Sequence, residues 1–169
     1  MFFEDGKSNF SFLINGYLER EADFFPNEET RLNTYDSCIW YSPDGSEDNA
    51  LIWPGIYQTS WLPELIDNFK ALLEGSITEF DFDMLLFDPL DFVSELPVYD
   101  TDMFDIAIKF RRINGEAFTA DIKFKEITEG YELPKNLWYD LDDIDLESAI
   151  EVLTEWSEKY PYRPVNTKF

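Results

Sequence analysis

The sequence predicts a single α+β domain over residues 1–169, with an antiparallel sheet and two main helices. Two stretches, 62–74 and 146–160, repeat apolar residues with the period of a helix, whereas several others alternate apolar and polar residues as strands do. Hydrophobic residues make up 44% of the chain and aromatic residues 18%, which is enough for one large core. We therefore expect about six strands, strongly curved around the first helix.

The first half of the chain supplies three predicted strands. Apolar runs at Phe10–Leu18 and Cys38–Tyr41 indicate the first two, and the charged, proline-containing residues 19–33 between them are expected to be irregular. The third run, Ala50–Tyr57, contains Pro54, which has no N–H to give to a sheet. This run is therefore predicted to be an edge or bulged strand.

The first helix, Leu62–Glu74, is the most clearly marked element. Its apolar residues recur at helical spacing and define one core-facing side. Ser60 is a candidate N-cap, and Gly75 stands where a left-handed residue ends many helices. A half-buried strand is predicted to follow at Phe80–Leu86.

A hairpin is predicted from two alternating stretches, Asp105–Arg112 and Ala117–Glu126. A two-residue Asn-Gly loop would place their apolar rows on opposite faces of the sheet. A three-residue loop, Ile113–Gly115, instead pairs Phe110 with Phe118 and keeps the rows together. We therefore expect a type I turn with a bulge, in which the glycine is left-handed.

The second helix is predicted over Leu146–Tyr160, with Asp145 as its cap and Pro161 as its stop. Residues 128–143 before it are expected to form a loop. Residues 164–169 are expected to form a loosely ordered tail.

The charge restricts the possible partners. The chain has 36 Asp and Glu against 13 Lys and Arg, a net charge of −23 and a pI near 4.1. This charge repels nucleic acid and anionic lipid and attracts basic proteins, so we expect no direct nucleic-acid binding and no membrane binding. The N-terminal residues lack the basic region and apolar run of a signal peptide, and a single cysteine cannot form an intrachain disulfide. A cytoplasmic protein is predicted.

Few catalytic or metal sites fit this composition. The chain has no His, which excludes Ser-His and Cys-His nucleophile pairs, and it has no glycine-rich phosphate-binding motif. Cys38 lies in an apolar strand and is expected to pack rather than react. Asp81 and Asp83 are interpreted as a solvated strand face, and the acidic run 140–145 as a helix start. No catalytic residue, metal or cofactor is predicted.

Four stretches together resemble a known family. They are the strand pair DSCIWYS and ALIWPGIYQTSW, the helix LPELIDNFKALLEG, the hairpin DIAIKFRRINGEAFTADIKF and the closing helix DLESAIEVLTEWSEKYPYR. The chain resembles, over residues 35–163, the immunity proteins of bacterial wall-associated and contact-dependent polymorphic toxins. The resemblance implies a protein without catalytic residues that neutralises a cognate toxin, often a basic nuclease, by covering its active site or substrate surface.

Acidic loops would steer such a cationic toxin domain and replace its phosphate ligands, and one or two aromatic anchors would supply most of the affinity. The candidate partner-binding acids are Asp44, Glu47, Asp48, Asp100, Asp102, Asp140, Asp142 and Asp143. One alternative is an inhibitor that mimics nucleic acid to block a defence nuclease, which predicts double rows of exposed carboxylates. A further alternative is a hydrolase that uses two carboxylates across a cleft.

Overall fold

Eight strands form one antiparallel sheet, in which every strand pairs with the next along the chain. The computed structural model describes residues 1–19, 25, 27–87, 103–126 and 136–165. The strands are β1 (Phe2–Glu4), β2 (Asn9–Tyr17), β3 (Thr34–Ser42), β4 (Leu51–Gln58), β5 (Glu79–Phe87), β6 (Met103–Arg112), β7 (Ala117–Glu126) and β8 (Leu137–Asp142). The helices in these ranges are α1 (Glu28–Leu32), α2 (Leu62–Glu74) and α3 (Asp143–Lys159), with short 3-10 turns at Glu47–Asn49 and Thr59–Trp61.

The α+β class is confirmed, but the expected sheet of about six strands, strongly curved, does not match. The two additional strands are β1 and β8. β1 has three residues, too few to show a period of two, and β8 lies in an acid-rich stretch that we expected to be a loop. Both are strands because pairing with β2 and β7 satisfies their backbone groups.

The core lies between one face of the sheet, here called the inner face, and the helices α2 and α3. Phe69 of α2 lies against Phe80 and Phe110, with ring centroids 5.0 and 4.8 Å away. Trp156 of α3 packs edge-on against Phe12 at 5.8 Å. These contacts bury apolar residues of β2 to β8 in one continuous cluster.

The two ends of the strand order also meet. The ring of Phe3 in β1 lies 6.1 Å from that of Tyr139 in β8. The hydroxyls of Ser8 and Tyr139 form a hydrogen bond of 2.9 Å. These side-chain contacts place the β1–β2 turn beside β8.

The predicted bounds of α2 are confirmed. The apolar side of the helix is buried, and Gly75 is left-handed with φ of 81°. The prediction of Ser60 as N-cap is wrong, because the chain enters the helix through the 3-10 turn Thr59–Trp61 and Trp61 is the N-cap, with no side-chain hydrogen bond.

Helix α3 begins earlier than predicted, at Asp143 rather than Leu146. Asp142 is the N-cap and accepts from the Asp145 N–H at 3.0 Å, while the Asp145 carboxylate accepts from the Asp142 N–H at 2.9 Å. This capping box satisfies amides that the first turn leaves without partners. Asp145 is therefore the third residue of the helix and not its cap.

The β6–β7 hairpin keeps its apolar rows on one face, but the predicted register is wrong. Phe110 pairs with Ala120 rather than Phe118, and five residues separate the paired Arg112 and Phe118. Gly115 is not among the left-handed glycines of the described residues. The longer loop brings the Gly115 carbonyl to the Arg112 guanidinium, which donates a hydrogen bond to it at 2.8 Å.

Strand β4 is not an edge strand. It pairs with β3 from Leu51 to Gln58, but with β5 only at Gly55 and Ile56. Pro54 therefore lies beside β5 where no ladder forms, so its missing N–H is tolerated. The region 19–33, expected to be irregular, contains α1.

The chain after α3 is held down at Arg163. Its N–H donates to the Asn33 side chain at 2.6 Å, and the Asn33 amide donates back to the Arg163 carbonyl at 2.9 Å. Most of the predicted loose tail, residues 166–169, lies outside the described residues. Within the described ranges, no helix is long and apolar enough to cross a membrane.

Candidate functional site

The predicted partner-binding acids fall in separate parts of the fold. Asp44, Glu47 and Asp48 are exposed in the loop between β3 and β4. Asp140 and Asp142 are exposed on β8, and Asp143 is the first residue of α3. Asp100 and Asp102 lie outside the described residues.

The β1–β2 turn, which the sequence did not indicate, joins two of these groups. The β3–β4 loop lies against this turn, since a Cβ on Gly45 would be 3.7 Å from the Lys7 carbonyl oxygen. On its other side the turn reaches Tyr139 of β8 through Ser8. The turn adds two exposed acids of its own, Glu4 and Asp5.

We call this region the acidic corner and define it by its residues. They are Glu4, Asp5, Asp44, Glu47, Asp48, Asp142, Asp143 and Asp145. Burial raises the pKa of Asp145, and the charges of Asp142 and Glu4 raise it further. In contrast, hydrogen bonds from the Ser8 and Lys7 amides lower the pKa of Asp5. The corner thus contains one carboxyl with a raised pKa, Asp145, and one with a lowered pKa, Asp5.

Basic residues neutralise another part of the outer face, the sheet face away from the helices. Lys109 lies 3.5 Å from Glu79 and 3.6 Å from Asp81, and Arg111 lies 3.2 Å from Glu79. Lys123 pairs with Asp121 at 3.6 Å. By comparison, Glu4, Glu47 and Asp48 form no ion pair with any other described residue. The excess negative charge is therefore unevenly distributed.

An apolar patch lies next to the acidic corner on the outer face of β1–β4. Strand register places Phe2 opposite Ser11, Ser11 opposite Trp40, and Trp40 opposite Ile52, so these side chains share one face. Phe2 is 50% exposed and Ile52 is 54% exposed. The outer apolar patch consists of Phe2, Leu13, Cys38, Trp40, Ile52 and Pro54.

The patch and the acidic corner are continuous. The next row of paired residues beyond Ser11 and Trp40 is Glu4, Asn9 and Ser42, roughly 7 Å further along the strands. At the opposite end of β4, Leu18 and Phe25 pack against Ile56 and cover that part of the face. Exposed apolar surface is therefore concentrated at the acidic end.

A row of carboxylates on α3 was also not predicted. Glu147, Glu151 and Glu155 are exposed at intervals of four residues, and Glu158 continues the same side. Successive members rise about 6 Å along the helix, and such like charges destabilise a helix slightly. None of the four forms an ion pair with a described residue.

A cleft of about 140 Å³ opens between β4, β5 and the start of α2. It forms where β4 and β5 diverge, because their ladder contains only the pairs at Gly55 and Ile56. The lining residues are Tyr57, Trp61, Glu64, Leu65, Asn68, Asp81, Phe82 and Asp83. The ring of Tyr57 lies 5.4 Å from Trp61, which is 45% exposed.

Metal-binding groups and the single thiol are the remaining reactive groups to consider. Within the described ranges, no group of three acids or cysteines is placed to hold a metal ion. Burial raises the pKa of the Cys38 thiol, and the charge of Asp36 adds to this effect, which makes the thiol a poor nucleophile at neutral pH. The candidate surfaces themselves offer negative charge, exposed apolar side chains and a cleft.

Comparison with known proteins adds no relative. No protein-family model matches the chain, and neither a curated protein nor a solved structure matches it.

Proposed function

We propose that this chain is an inhibitory binding protein that neutralises a basic toxin domain, in the manner of the immunity proteins that its sequence resembles. The observation that carries the proposal is the outer apolar patch bordered by the acidic corner. Stable interfaces combine an apolar centre with a polar rim, and their affinity depends on a few buried aromatic anchors. Here Trp40 and Phe2 are the anchors and the carboxylates form the rim.

The partner that fits this surface has an apolar centre and a basic border. Carboxylates on the chain would attract it over long range and align it before contact. A nuclease domain carries such a basic surface because it binds phosphates, and covering that surface would block its substrate. The chain would act by occupying the site, without a reaction of its own.

The test begins with the immobilised chain and a lysate of its native host. Retained proteins are eluted in steps of rising salt and identified by mass. Each basic protein is then purified, and its toxic or nuclease activity is measured with the chain at equal concentration. We expect stoichiometric inhibition of one of them and weaker inhibition by the Glu47→Lys, Asp48→Lys double variant. If no retained protein is inhibited, the proposal fails.

A second candidate is mimicry of nucleic acid to inhibit a defence nuclease. The regular row Glu147, Glu151, Glu155 and Glu158 favours it, since loops do not space charges so evenly. The neighbouring helix α2 does not continue this pattern, because Lys70 interrupts its exposed acids Asp67 and Glu74. Mimicry predicts that Glu151→Lys abolishes inhibition, whereas the first proposal predicts little effect from this change.

A further inference from the structure

The cleft between β4, β5 and α2 lies apart from the outer apolar patch, and the proposed function described above does not use it. Its floor is aromatic, since Tyr57 and Phe82 are buried and pack at 5.3 Å. Trp61 stands at its rim and exposes part of its ring. An exposed indole beside a concave aromatic floor offers a flat surface on which a planar cation can stack.

The electrostatics of the cleft select a cation. Glu64, Asp81 and Asp83 all line it. Asp81 lies 3.6 Å from Lys109, but Glu64 and Asp83 form no ion pair with any described residue. Burial raises the pKa of the Tyr57 hydroxyl, and the charge of Glu64 raises it further, so Tyr57 stays neutral and the negative charge at the cleft comes from the carboxylates.

The wall formed by β5 offers acceptors of a second kind. On the β6 side, β5 is paired at every position from Glu79 to Phe87. On the β4 side, the ladder contains only Leu85 and Leu86, so the backbone beside the cleft at Asp81–Asp83 has no strand partner there. Carbonyl groups on that side can accept hydrogen bonds from a ligand.

From these features we infer that the cleft binds a guanidinium group and takes an arginine side chain of the protein partner. Arginine is planar, stacks on indole rings and has five N–H donors, which suits carboxylates and backbone carbonyls placed around one ring. A lysine ammonium cannot stack in this way. The cleft is thus a specificity pocket within the proposed function, and the assignment of the arginine to a partner rests on that function.

The site can be tested without the partner. The probe is N-acetyl-arginine methylamide, titrated into the ¹⁵N-labelled chain while the indole N–H signal of Trp61 is followed by NMR. We expect a saturable shift of this signal. The matched control is N-acetyl-citrulline methylamide, which has nearly the same shape without the charge and should not bind. N-acetyl-lysine methylamide should bind more weakly than the arginine probe.

Variants locate the site. The double variant Glu64→Gln, Asp83→Asn should bind the arginine probe about tenfold or more weakly, since this variant loses two charge-assisted contacts. Asp67→Asn is the control, because Asp67 is an exposed acid of the same helix that does not line the cleft. The inference is overturned if Asp67→Asn weakens binding as much as the double variant does. It is also overturned if the lysine or citrulline probe binds as tightly as the arginine probe, or if the Trp61 signal does not shift.

Two further outcomes separate this inference from the proposed function. If the arginine probe binds but no basic protein is inhibited, the cleft remains and the proposed function fails. If a partner is inhibited but Glu64→Gln, Asp83→Asn binds it as tightly as the wild type, the function remains and the cleft is not its arginine pocket. Tighter binding of free L-arginine than of the blocked probe would assign the cleft to a free amino acid and contradict the inference.

Discussion

At the scale of single residues, Gly55 controls how closely β4 and β5 approach each other. A Cβ there would lie 2.2 Å from Met84 Cε, 2.8 Å from Leu86 Cδ2 and 2.9 Å from the Leu85 carbonyl oxygen. The methionine can move, but the backbone oxygen belongs to the short ladder that joins the two strands. The position therefore requires glycine because of packing and not because of its φ angle.

We predict that Gly55→Ala lowers the free energy of unfolding by about 1–3 kcal/mol, because the extra methyl forces the ladder apart. Urea denaturation measures this change. Gly115→Ala is the control, since a Cβ at Gly115 meets nothing within 4 Å, and we expect a change within about 0.5 kcal/mol. Equal stability of Gly55→Ala and the wild type would show that β4 and β5 are less tightly packed than described.

Buried tyrosines make the chain sensitive to alkali. Burial raises the pKa of Tyr35 to about 12, and burial likewise raises that of Tyr139 to about 12, from a usual value of 10.0. Between these pH values the unfolded chain loses protons that the folded chain keeps, so the folded state binds more protons. Stability is therefore fully present below pH 10 and declines as the pH rises towards 12.

We expect urea midpoints to fall over this pH range, with delayed appearance of tyrosinate absorbance in the folded chain. Tyr139→Phe should reduce the slope of stability against pH, although it also removes the hydrogen bond to Ser8. An unchanged slope in this variant would contradict the assignment of the raised pKa to Tyr139.

At the scale of elements, Arg112 joins the end of α2 to the β6–β7 hairpin. Its guanidinium donates to the carbonyls of Leu72 at 2.9 Å and Leu73 at 2.7 Å, in the last turn of the helix, where carbonyl groups lack a full set of intrahelical partners. The Leu72 carbonyl also accepts from the Gly75 N–H at 3.2 Å. The same group donates to Gly115 in the hairpin loop. One side chain thus fixes the position of a helix relative to two strands.

We predict that Arg112→Lys lowers the free energy of unfolding by about 1.5–3 kcal/mol, because a single ammonium cannot reach all three carbonyls. Arg111→Lys is the matched control, since Arg111 makes only an exposed pair with Glu79 and should contribute less than about 1 kcal/mol. Chemical denaturation of both variants gives the comparison. Equal losses would mean that Arg112 does not bridge the elements as described.

The sequence predicted those elements whose signals are local. The apolar spacing of α2 and its terminal Gly75 determined both ends of that helix, and the alternating stretches located β5, β6 and β7. It did not predict β1, whose three residues are too few to show a period of two, nor the hairpin register, in which five residues separate the paired Arg112 and Phe118. Features set by strand pairing and loop contacts leave little trace in local periodicity.

The candidate site was only partly predicted from the sequence for the same reason. Acids near Asp44 and near Asp142 were predicted from composition, but the β1–β2 turn that connects them depends on contacts such as that between Ser8 and Tyr139. The outer apolar patch was also not predicted, because Phe2, Trp40 and Ile52 meet only through the register of four strands. Charge is visible in composition, whereas its arrangement is not.

At the scale of the whole molecule, a charge of −23 is unevenly compensated. Lysines and arginines pair with acids on the outer face of β5–β7, whereas Glu4, Glu47, Asp48 and the α3 row form no ion pair with another described residue. Added salt screens charges beyond roughly 10 Å at 0.1 M. We therefore expect association with a basic partner to slow markedly as salt rises, and dissociation to change less. Stopped-flow binding at several salt concentrations measures both rates.

In the proposed function, the toxin domain binds the outer apolar patch. The most direct measurement compares Ile52→Arg with Ile113→Arg in their affinity for the basic domain retained from the host lysate. Both positions are isoleucines, 54% and 59% exposed, and both changes add one charge, but Ile113 lies in the β6–β7 hairpin, away from the patch. We predict at least about a tenfold loss of affinity for Ile52→Arg and a small effect for Ile113→Arg. Equal effects of the two changes would show that the toxin binds elsewhere.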